Sequence, residues 1–270
     1  MKKISFASIG DLCIDNYERY NKLFPGGTAF NSAVYATKAG ASAGIFSAMG
    51  TDISAQIFQK AFVQYNIDCS QVKILRGETS SIRIDSDDDG QRFFSDWKLG
   101  VLEKYILNSV DKKYLSEYDI AKIVLFKPLQ KLFDQFCQTD LPSTLKVADF
   151  AGSTAYSDDT LVIRNYIDQL DVIVKSTDET DQDSISFLQK MSFDYKEKII
   201  LALLGKEGSM AFLNGNLYKQ PAIETTVKDT TGAGDAYIAY FLLSYLKKRD
   251  IQYAMLQGSK AASEKISKIG

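Results

Sequence analysis

The chain of 270 residues contains no histidine. This absence excludes Ser-His-Asp and Cys-His enzymes, because both use an imidazole as general base. It also argues against a zinc site, since the three cysteines, Cys13, Cys69 and Cys137, form no C-x-x-C pair. Any general base must therefore be an Asp, Glu, Lys, Tyr or Cys side chain.

The chain also lacks an excess of basic residues and any long apolar run. The formal net charge is −2 and the pI is about 5.4, which excludes a basic surface for a nucleic-acid partner. No segment approaches the ~18 consecutive apolar residues of a membrane span, so no membrane partner is expected. The start, "MKKISFASIGDL", is interrupted by Ser8, Gly10 and Asp11 before it could serve as a signal peptide. A cytoplasmic protein with reduced cysteines is the simplest interpretation.

The residues that are present predict one α/β domain spanning 1–270. Hydrophobic residues make up 45% of the chain, and there are only 4 prolines. Apolar strand-like runs alternate with helical periodicity, which favours a mostly parallel central sheet flanked by helices. The clearest predicted strands are "ISFASIG", "AGIFSAMG", "AKIVLF", "LKVADF", "LDVIVKS" and "KIILALLG", and the last two helices are predicted at about 233–248 and 250–267.

Two hairpins interrupt the alternation. "SMAFLNGNLYKQ" carries an Asn214-Gly215 turn, and "SSIRIDSDDDGQRFF", residues 80–94, turns at Asp89-Gly90. The second of these is either a flap over a site or an extension of the sheet.

The stretch "DTTGAGDAY", Asp229–Tyr237, is the strongest candidate for a chemical site. If a helix begins near Gly234, the amides of Gly232, Ala233 and Gly234 are unpaired donors, and together with the helix dipole they favour an anion such as a phosphoryl group. Asp235 would then be a base for an attacking hydroxyl. The alternative is an ordinary loop with an acid near a helix start. It is not a dinucleotide fingerprint, because Tyr237 occupies the third glycine position.

This stretch, together with "GGTAFN" earlier in the chain, resembles the two signatures of the PfkB, or ribokinase-like, carbohydrate kinases. "GDLCID" and "LLGKEGSM" resemble two further segments of that family, so the similarity covers essentially the whole chain. The resemblance implies a ribokinase-like fold and ATP-dependent phosphorylation of a sugar hydroxyl. It implies catalytic roles for Asp235 and the anion-hole residues Gly232, Ala233 and Gly234. It implies sugar binding by Asp15, Gly26, Gly27 and Asn31, and nucleotide binding by Gly205, Gly208, Thr230 and Thr231.

The resemblance also implies Mg²⁺ near Glu179, with a monovalent cation as a further option. The chain departs from the family pattern at Ser176, where an asparagine is usual, and at Leu203, where threonine is common. Ala151 and Gly152 follow "VADF" where many sugar kinases have Asn and Arg, which weakens the case for a plain ketohexose or ribose acceptor.

Within the family, "IGDLCIDNY", "FPGGTAFNSAVY" and "VADFAG" most resemble members that phosphorylate the 6-hydroxyl of a fructose joined to lysine. Arg92, and less so Arg83, is then the candidate for the amino-acid carboxylate. The resemblance further implies a lid at about 12–24 and 76–96 and a homodimer formed through it. Fructose, ribose or a nucleoside are alternative acceptors. A non-catalytic sugar-binding protein is the remaining alternative, because a nicotinamide enzyme would need G-x-G-x-x-G after the first strand.

Overall fold

The computed structural model describes residues 3–86, 92–152 and 160–268. The predicted Asp89-Gly90 turn lies outside these residues. The described residues form thirteen strands, which are β1 Ser5–Ile9, β2 Cys13–Tyr17, β3 Lys22–Gly26, β4 Ser42–Met49, β5 Val72–Ile74, β6 Ser80–Ser86, β7 Arg92–Lys98, β8 Ile120–Val124, β9 Leu145–Asp149, β10 Val172–Ser176, β11 Ile199–Leu203, β12 Ser209–Leu213 and β13 Asn216–Gln220. They also form seven α-helices, which are α1 Thr28–Lys38, α2 Ile53–Tyr65, α3 Ser109–Leu115, α4 Gln130–Cys137, α5 Gln182–Asp194, α6 Ala233–Lys248 and α7 Ile251–Ile266.

Nine strands form the central sheet in the order β13-β12-β11-β10-β9-β8-β1-β4-β5. The seven strands from β11 to β5 pair in parallel, and only β12 and β13 at one edge are antiparallel. The β12–β13 turn contains Asn214 and Gly215, both at positive φ, as an Asn-Gly hairpin requires. The predicted α/β fold with a mostly parallel sheet is confirmed.

The central strands bury side chains on both faces, which is why they read as continuous apolar runs. Along β11, Leu201 belongs to the hydrophobic cluster that contains side chains of α1, α2, α6 and α7, whereas Ile200 belongs to the cluster that contains side chains of α4 and α5. Several helix ends are fixed by local chemistry. Asn108, for example, forms a capping box with Asp111 at the start of α3. Within the described part of the chain, no helix combines the length and hydropathy needed to cross a bilayer.

A second sheet of four strands, in the order β3-β2-β6-β7, lies apart from the central sheet in the strand pairing. The hairpin of β6 and β7 belongs to this sheet, so the alternative of an extension to the central sheet is wrong. Its strands fall at residues 13–26 and 80–98, close to the ranges predicted for a lid. Closure of this sheet over a substrate, as the lid of a single domain, stays a prediction.

Candidate active site

A cavity of about 410 Å³ opens at the carboxyl edge of the parallel strands, where ligands of such sheets usually bind. Residues from the loop after β1, from the second sheet and from the starts of α1 and α6 surround it. The lining residues are Asp11, Cys13, Asp15, Gly27, Thr28, Asn31, Ile82, Phe93, Phe94, Trp97, Phe126, Thr231, Gly232 and Asp235.

The start of α6 faces this cavity with an uncapped N-terminus. Gly232 is the N-cap residue in the left-handed region (φ 76°, ψ 6°), and no side chain caps the helix. In the described chain, the amides of Gly232 and Gly234 have no hydrogen-bond acceptor, whereas the Ala233 amide donates to Thr230 O at 3.2 Å. The prediction of three unpaired amides is therefore wrong for Ala233, because a tight turn pairs it. Two donors remain for an anion at the positive end of a 16-residue helix.

Asp235, in the first turn of α6, is only 7% exposed and lines the cavity. Its Oδ1 accepts from Ser32 Oγ at 2.9 Å and from Lys122 Nζ at 2.8 Å. Its Oδ2 accepts no hydrogen bond from the described residues. One carboxylate oxygen is thus held by the protein, and the other is free for a substrate hydroxyl.

Lys122 is a site residue that the sequence reasoning missed. It lies within the apolar run "AKIVLF" of β8, and 113 residues separate it from Asp235. The only signal was a lysine inside a strand predicted to be buried, since lysine is almost never fully buried unless it is paired.

The start of α1 is filled by the protein's own acid. Gly27 is the N-cap residue with φ 88°, and a Cβ built on it would lie 2.4 Å from Asp11 O. The Asp11 carboxylate accepts from the Thr28 amide at 3.1 Å and from Thr28 Oγ1 at 2.5 Å. Burial raises the pKa of Asp11, although the two bonds from Thr28 act in the opposite direction.

Asp15, on β2, packs against Gly26 just before the same helix. A Cβ built on Gly26 would lie 2.2 Å from Asp15 Oδ2, so this glycine provides the space for the carboxyl group. Gly26 itself does not line the cavity, and its contact with the sugar stays a prediction. Burial, followed by the nearby carboxylates of Asp11 and Asp229, raises the pKa of Asp15 to about 8. Asp15 accepts no hydrogen bond from the described residues, and its side chain faces the cavity.

The other wall of the cavity is aromatic and comes mainly from β7. Asp96 adopts φ 47° where the β6–β7 register shifts, so a bulge precedes Trp97. Trp97 packs edge-to-face on Phe126, with ring centroids 5.3 Å apart, and its Nε1 donates to Ser80 Oγ at 3.0 Å. Phe93 and Phe94 complete the wall at about half exposure. In the described chain, no lysine or arginine lines this cavity.

A buried carboxyl group, that of Asp229, supports the loop that precedes α6. Asp229 accepts from Tyr17 Oη at 3.0 Å and from the Thr231 amide at 2.9 Å, and its own amide donates to Ile266 O. Lys265 of α7 lies nearby, since its Cε would be 3.7 Å from a Cβ on Gly232. The side-chain nitrogen Nδ2 of Asn31 would be 3.3 Å from the same Cβ, so the starts of α1 and α6 are neighbours.

Several predicted site residues lie away from this cavity. Thr230 and Glu179 are exposed, and Gly205 forms a turn with φ 58° and no atom within 4 Å of a built Cβ, which leaves room for a ligand. Gly208 has a packing reason instead, because its Cβ would meet Gln220 O at 2.2 Å.

One of the two cations predicted for the β6–β7 hairpin, Arg83, does not line the cavity. Arg83 is exposed on the four-stranded sheet, where it pairs with Glu18 at 3.1 Å and Asp85 at 2.9 Å. It therefore does not face the cavity as a candidate for a substrate carboxylate. The side chain of Arg92 lies outside the described part of the structure.

An acid beside an open helix N-terminus, at the carboxyl edge of a parallel sheet, is the arrangement of a phosphotransferase. The sequence pattern of the pfkB family carbohydrate kinases matches residues 8–270. The chain belongs to this family, and it is an ATP-dependent carbohydrate kinase.

Among its relatives, fructoselysine 6-kinases of Shigella flexneri and Escherichia coli are 29% and 28% identical, and the match covers 97% of this chain and 97% of each relative. Two solved structures share the fold. A nucleoside kinase of Methanocaldococcus jannaschii has a TM-score of 0.78 at 21% identity, covering 100% of this chain and 93% of that one. A fructokinase of Vibrio cholerae bound to fructose, ADP and a calcium ion has a TM-score of 0.77 at 15% identity, covering 99% and 94%.

The residues fit a nucleotide with a metal ion. The two unpaired amides at α6 suit a phosphoryl group, and open space adjoins Gly205. Within the described residues, no group of three or more His, Cys, Asp or Glu side chains could hold a metal alone. An ion bound here together with a nucleotide would take phosphate oxygens and water among its ligands.

Proposed function

We propose that this protein transfers the γ-phosphoryl group of ATP to a hydroxyl of a sugar joined to an amine, with fructoselysine as acceptor and fructoselysine 6-phosphate as product. The observation that carries the phosphotransfer is the free Oδ2 of Asp235, which shares one cavity with the unpaired amide of Gly232. The relatives named fructoselysine 6-kinase support the choice of acceptor.

The start of α6 contributes two groups to the reaction, the free backbone amides and the carboxylate of Asp235. The amides of Gly232 and Gly234 donate to the transferred phosphoryl group, where negative charge is concentrated during transfer. A donor of this kind typically contributes roughly 3 kcal/mol to lowering the barrier. Asp235 Oδ2 takes the proton of the acceptor hydroxyl. At the same time the hydroxyl oxygen bonds to the γ-phosphorus, and the bond between that phosphorus and ADP breaks.

Glu179 is the residue we assign to a magnesium ion, with phosphate oxygens and water as its other ligands. When bound, Mg²⁺ offsets the charge of the phosphates. The chain's own part is to align hydroxyl and phosphoryl group, and the second sheet would exclude water if it closes over the acceptor.

The acceptor cavity favours a positively charged sugar derivative over an anionic one. Asp11 and Asp15 line it, Trp97 and Phe126 offer aromatic faces, and the described chain contributes no basic side chain to the lining. A secondary ammonium group can be recognised by a carboxylate and by the negative faces of aromatic rings. We therefore assign the amine that joins sugar and lysine to the space between Asp15 and this wall, with Asn31 bonding sugar hydroxyls.

The test is an acceptor panel with purified enzyme, ATP and Mg²⁺, in which ADP release and product mass are followed. Fructoselysine, free fructose, ribose and a nucleoside separate the candidates. Preference for fructoselysine supports the whole proposal. Preference for a neutral sugar or a nucleoside would support the kinase activity and contradict the proposal that the acceptor carries an amine. Absence of ADP release with every sugar contradicts the proposed reaction.

Two further proposals concern the second sheet. Leu23 on β3 and Phe93 on β7 are about half exposed, so the sheet offers apolar surface for a homodimer. Sedimentation of wild-type protein and of Leu23→Glu would show a dimer that the variant loses, and a wild-type monomer would contradict it.

Arg92, which begins β7, remains our candidate partner of the lysine carboxylate. Arg92→Ala should raise KM for fructoselysine and leave KM for fructose unchanged, and an unchanged KM for fructoselysine removes the assignment.

A further inference from the structure

Lys122 occupies a position that ordinarily belongs to an apolar residue. It lies in the middle of β8, a central strand bonded to β1 and β9 on its two sides. Its neighbours Ala121 and Ile123 are fully buried, and Lys122 itself is only 1% exposed. An ammonium group at such depth is costly unless it is paired and hydrogen-bonded, so its partners should explain its presence.

The partners of Lys122 form a closed triangle under the active site. Lys122 Nζ lies 2.8 Å from Asp235 Oδ1 and 2.8 Å from Ser32 Oγ, and Ser32 Oγ donates to the same Oδ1 at 2.9 Å. Each member comes from a different element, namely β8, α6 and α1. Both donors act on one oxygen of the carboxylate, and the other oxygen receives nothing from the described residues.

We propose that Lys122, together with Ser32, is a positioning residue that holds Asp235 in the orientation needed to accept the proton of the acceptor hydroxyl. The inference rests on the proposed phosphotransfer. The terminal torsion of an aspartate is broad, so an unrestrained carboxylate would rotate in the cavity. Two donors on Oδ1 fix this torsion and direct Oδ2 toward the substrate. The proton then moves from the hydroxyl to Oδ2 while the phosphorus–oxygen bond forms and ADP leaves with the electron pair of the broken bond.

The surroundings explain why the orienting group is a cation. Asp11, Asp15 and Asp149 are buried carboxyl groups that act electrostatically with Asp235. Lys122 supplies the positive charge in direct contact with Asp235 and offsets this repulsion. Because phosphotransfer relies more on alignment than on a strong base, a carboxylate held by a lysine suits the reaction.

Lys122→Met tests this role, because methionine keeps the length of the side chain and removes its charge. We expect kcat to fall at least about tenfold, while KM for ATP changes less than about threefold. Lys146→Met is the matched control. Lys146 is also a buried strand lysine, 7% exposed, but its Nζ donates to Cys137 O and Thr139 O away from the cavity. Thermal melting of both variants measures the structural cost of losing a buried lysine, and kcat of Lys146→Met should stay within twofold.

The background of Asp235→Asn separates positioning from a merely structural effect. If Lys122 acts through Asp235, Lys122→Met should cause no further loss of turnover once the base is removed. A folded Lys122→Met enzyme with kcat within twofold of wild type would overturn the inference, as would a further tenfold loss in the Asp235→Asn background. A wild-type enzyme without ADP release would instead overturn the proposed function.

Ser32→Ala gives the same test without disturbing the ion pair, should Lys122→Met not fold. It removes one of the two donors to Oδ1, so kcat should fall about threefold or more with unchanged KM for ATP. The loss should disappear in the Asp235→Asn background. Unchanged kcat in Ser32→Ala would contradict the positioning role.

Discussion

Two glycine-started helices meet at the cavity, and they use their positive ends in opposite ways. At α1, with Gly27 as N-cap residue, the amide of Thr28 is bonded to Asp11, and Asp15 is packed against Gly26. At α6, with Gly232 as N-cap residue, the amides of Gly232 and Gly234 have no acceptor in the described chain. The first end therefore already contacts one of the protein's own acids, whereas the amides of Gly232 and Gly234 at the second are open to an external anion.

From this difference we infer that the two halves of the cavity hold different substrates. The α1 half presents acids and suits hydroxyls and an ammonium group, whereas the α6 half presents free amides and suits a phosphoryl group. Asp235 lines the same cavity and is the proposed acceptor of the hydroxyl proton.

Asp235→Asn should remove the proton acceptor and leave the anion site in place. Asparagine has nearly the same shape but cannot take the proton, so kcat should fall by about 10²–10⁴ while ATP affinity is largely retained. Steady-state kinetics together with ATP titration measure both. Turnover above half of wild type, with chemistry limiting the rate, would show that Asp235 is not the base.

Gly234→Val should damage the α6 half alone. A Cβ on Gly234 meets only Leu203 Cδ1 at 3.8 Å, so the fold should accept the side chain. The branched group would crowd the phosphoryl group and weaken its amide contacts, for an expected loss of about 10² in kcat. The melting temperature should stay close to that of wild type. Normal kinetics in this variant would mean that the loop is only a connector.

Gly26→Ala should damage the α1 half instead. The new Cβ would overlap the Asp15 carboxyl group, which must move, so KM for the acceptor should rise at least about tenfold and the melting temperature should fall. KM for ATP should stay nearly unchanged. Asp15→Asn is the control, because it alters the same group without the overlap. An equal rise in KM for ATP and acceptor would deny the division between the two halves.

Acceptor binding should depend on pH through Asp15, with a smaller effect on KM than Gly26→Ala. Burial raises the pKa of Asp15 to about 8, so the group is largely protonated at pH 6 and must ionise to pair with an ammonium ion. KM for fructoselysine should therefore fall several-fold as pH rises from 6 to 8, and KM for neutral fructose should not. A KM for fructoselysine that does not change with pH would show that Asp15 does not pair with the amine.

The same shift has a consequence for stability. Because the folded pKa of Asp15 lies above its ordinary value of 3.8, the native state holds the proton more tightly than the unfolded chain. The free energy of unfolding should accordingly decrease between about pH 4 and pH 8, by up to about 1.4 kcal/mol per pH unit. Asp15→Asn should reduce this slope, which denaturant unfolding at several pH values measures. An identical slope in the variant would show that Asp15 does not titrate in this way.

The sequence could predict the α6 half because its parts are contiguous. The glycines, the helix start and Asp235 all lie between residues 229 and 237, so local backbone rules apply to them. The parallel sheet could be predicted for the same reason, from apolar runs alternating with helical periods.

The rest of the site depends on contacts between distant segments. Lys122 reaches Asp235 only because β8 lies beside β1 in the sheet and faces α1 and α6. Gly26 was predicted as a sugar contact, and it also provides space for Asp15, which no local pattern indicates. Arg83 was a candidate because alternation shows that a strand exists, but it does not show which face meets the cavity.

A crystal structure with ADP, aluminium fluoride, Mg²⁺ and fructoselysine tests the division between the helix starts most directly. We expect fluoride within hydrogen-bond distance of the Gly232 and Gly234 amides and the 6-hydroxyl about 3 Å from Asp235 Oδ2. We also expect the amine between Asp15 and Trp97. Fluoride bound at the start of α1, or a sugar whose hydroxyl points away from Asp235, would contradict this division.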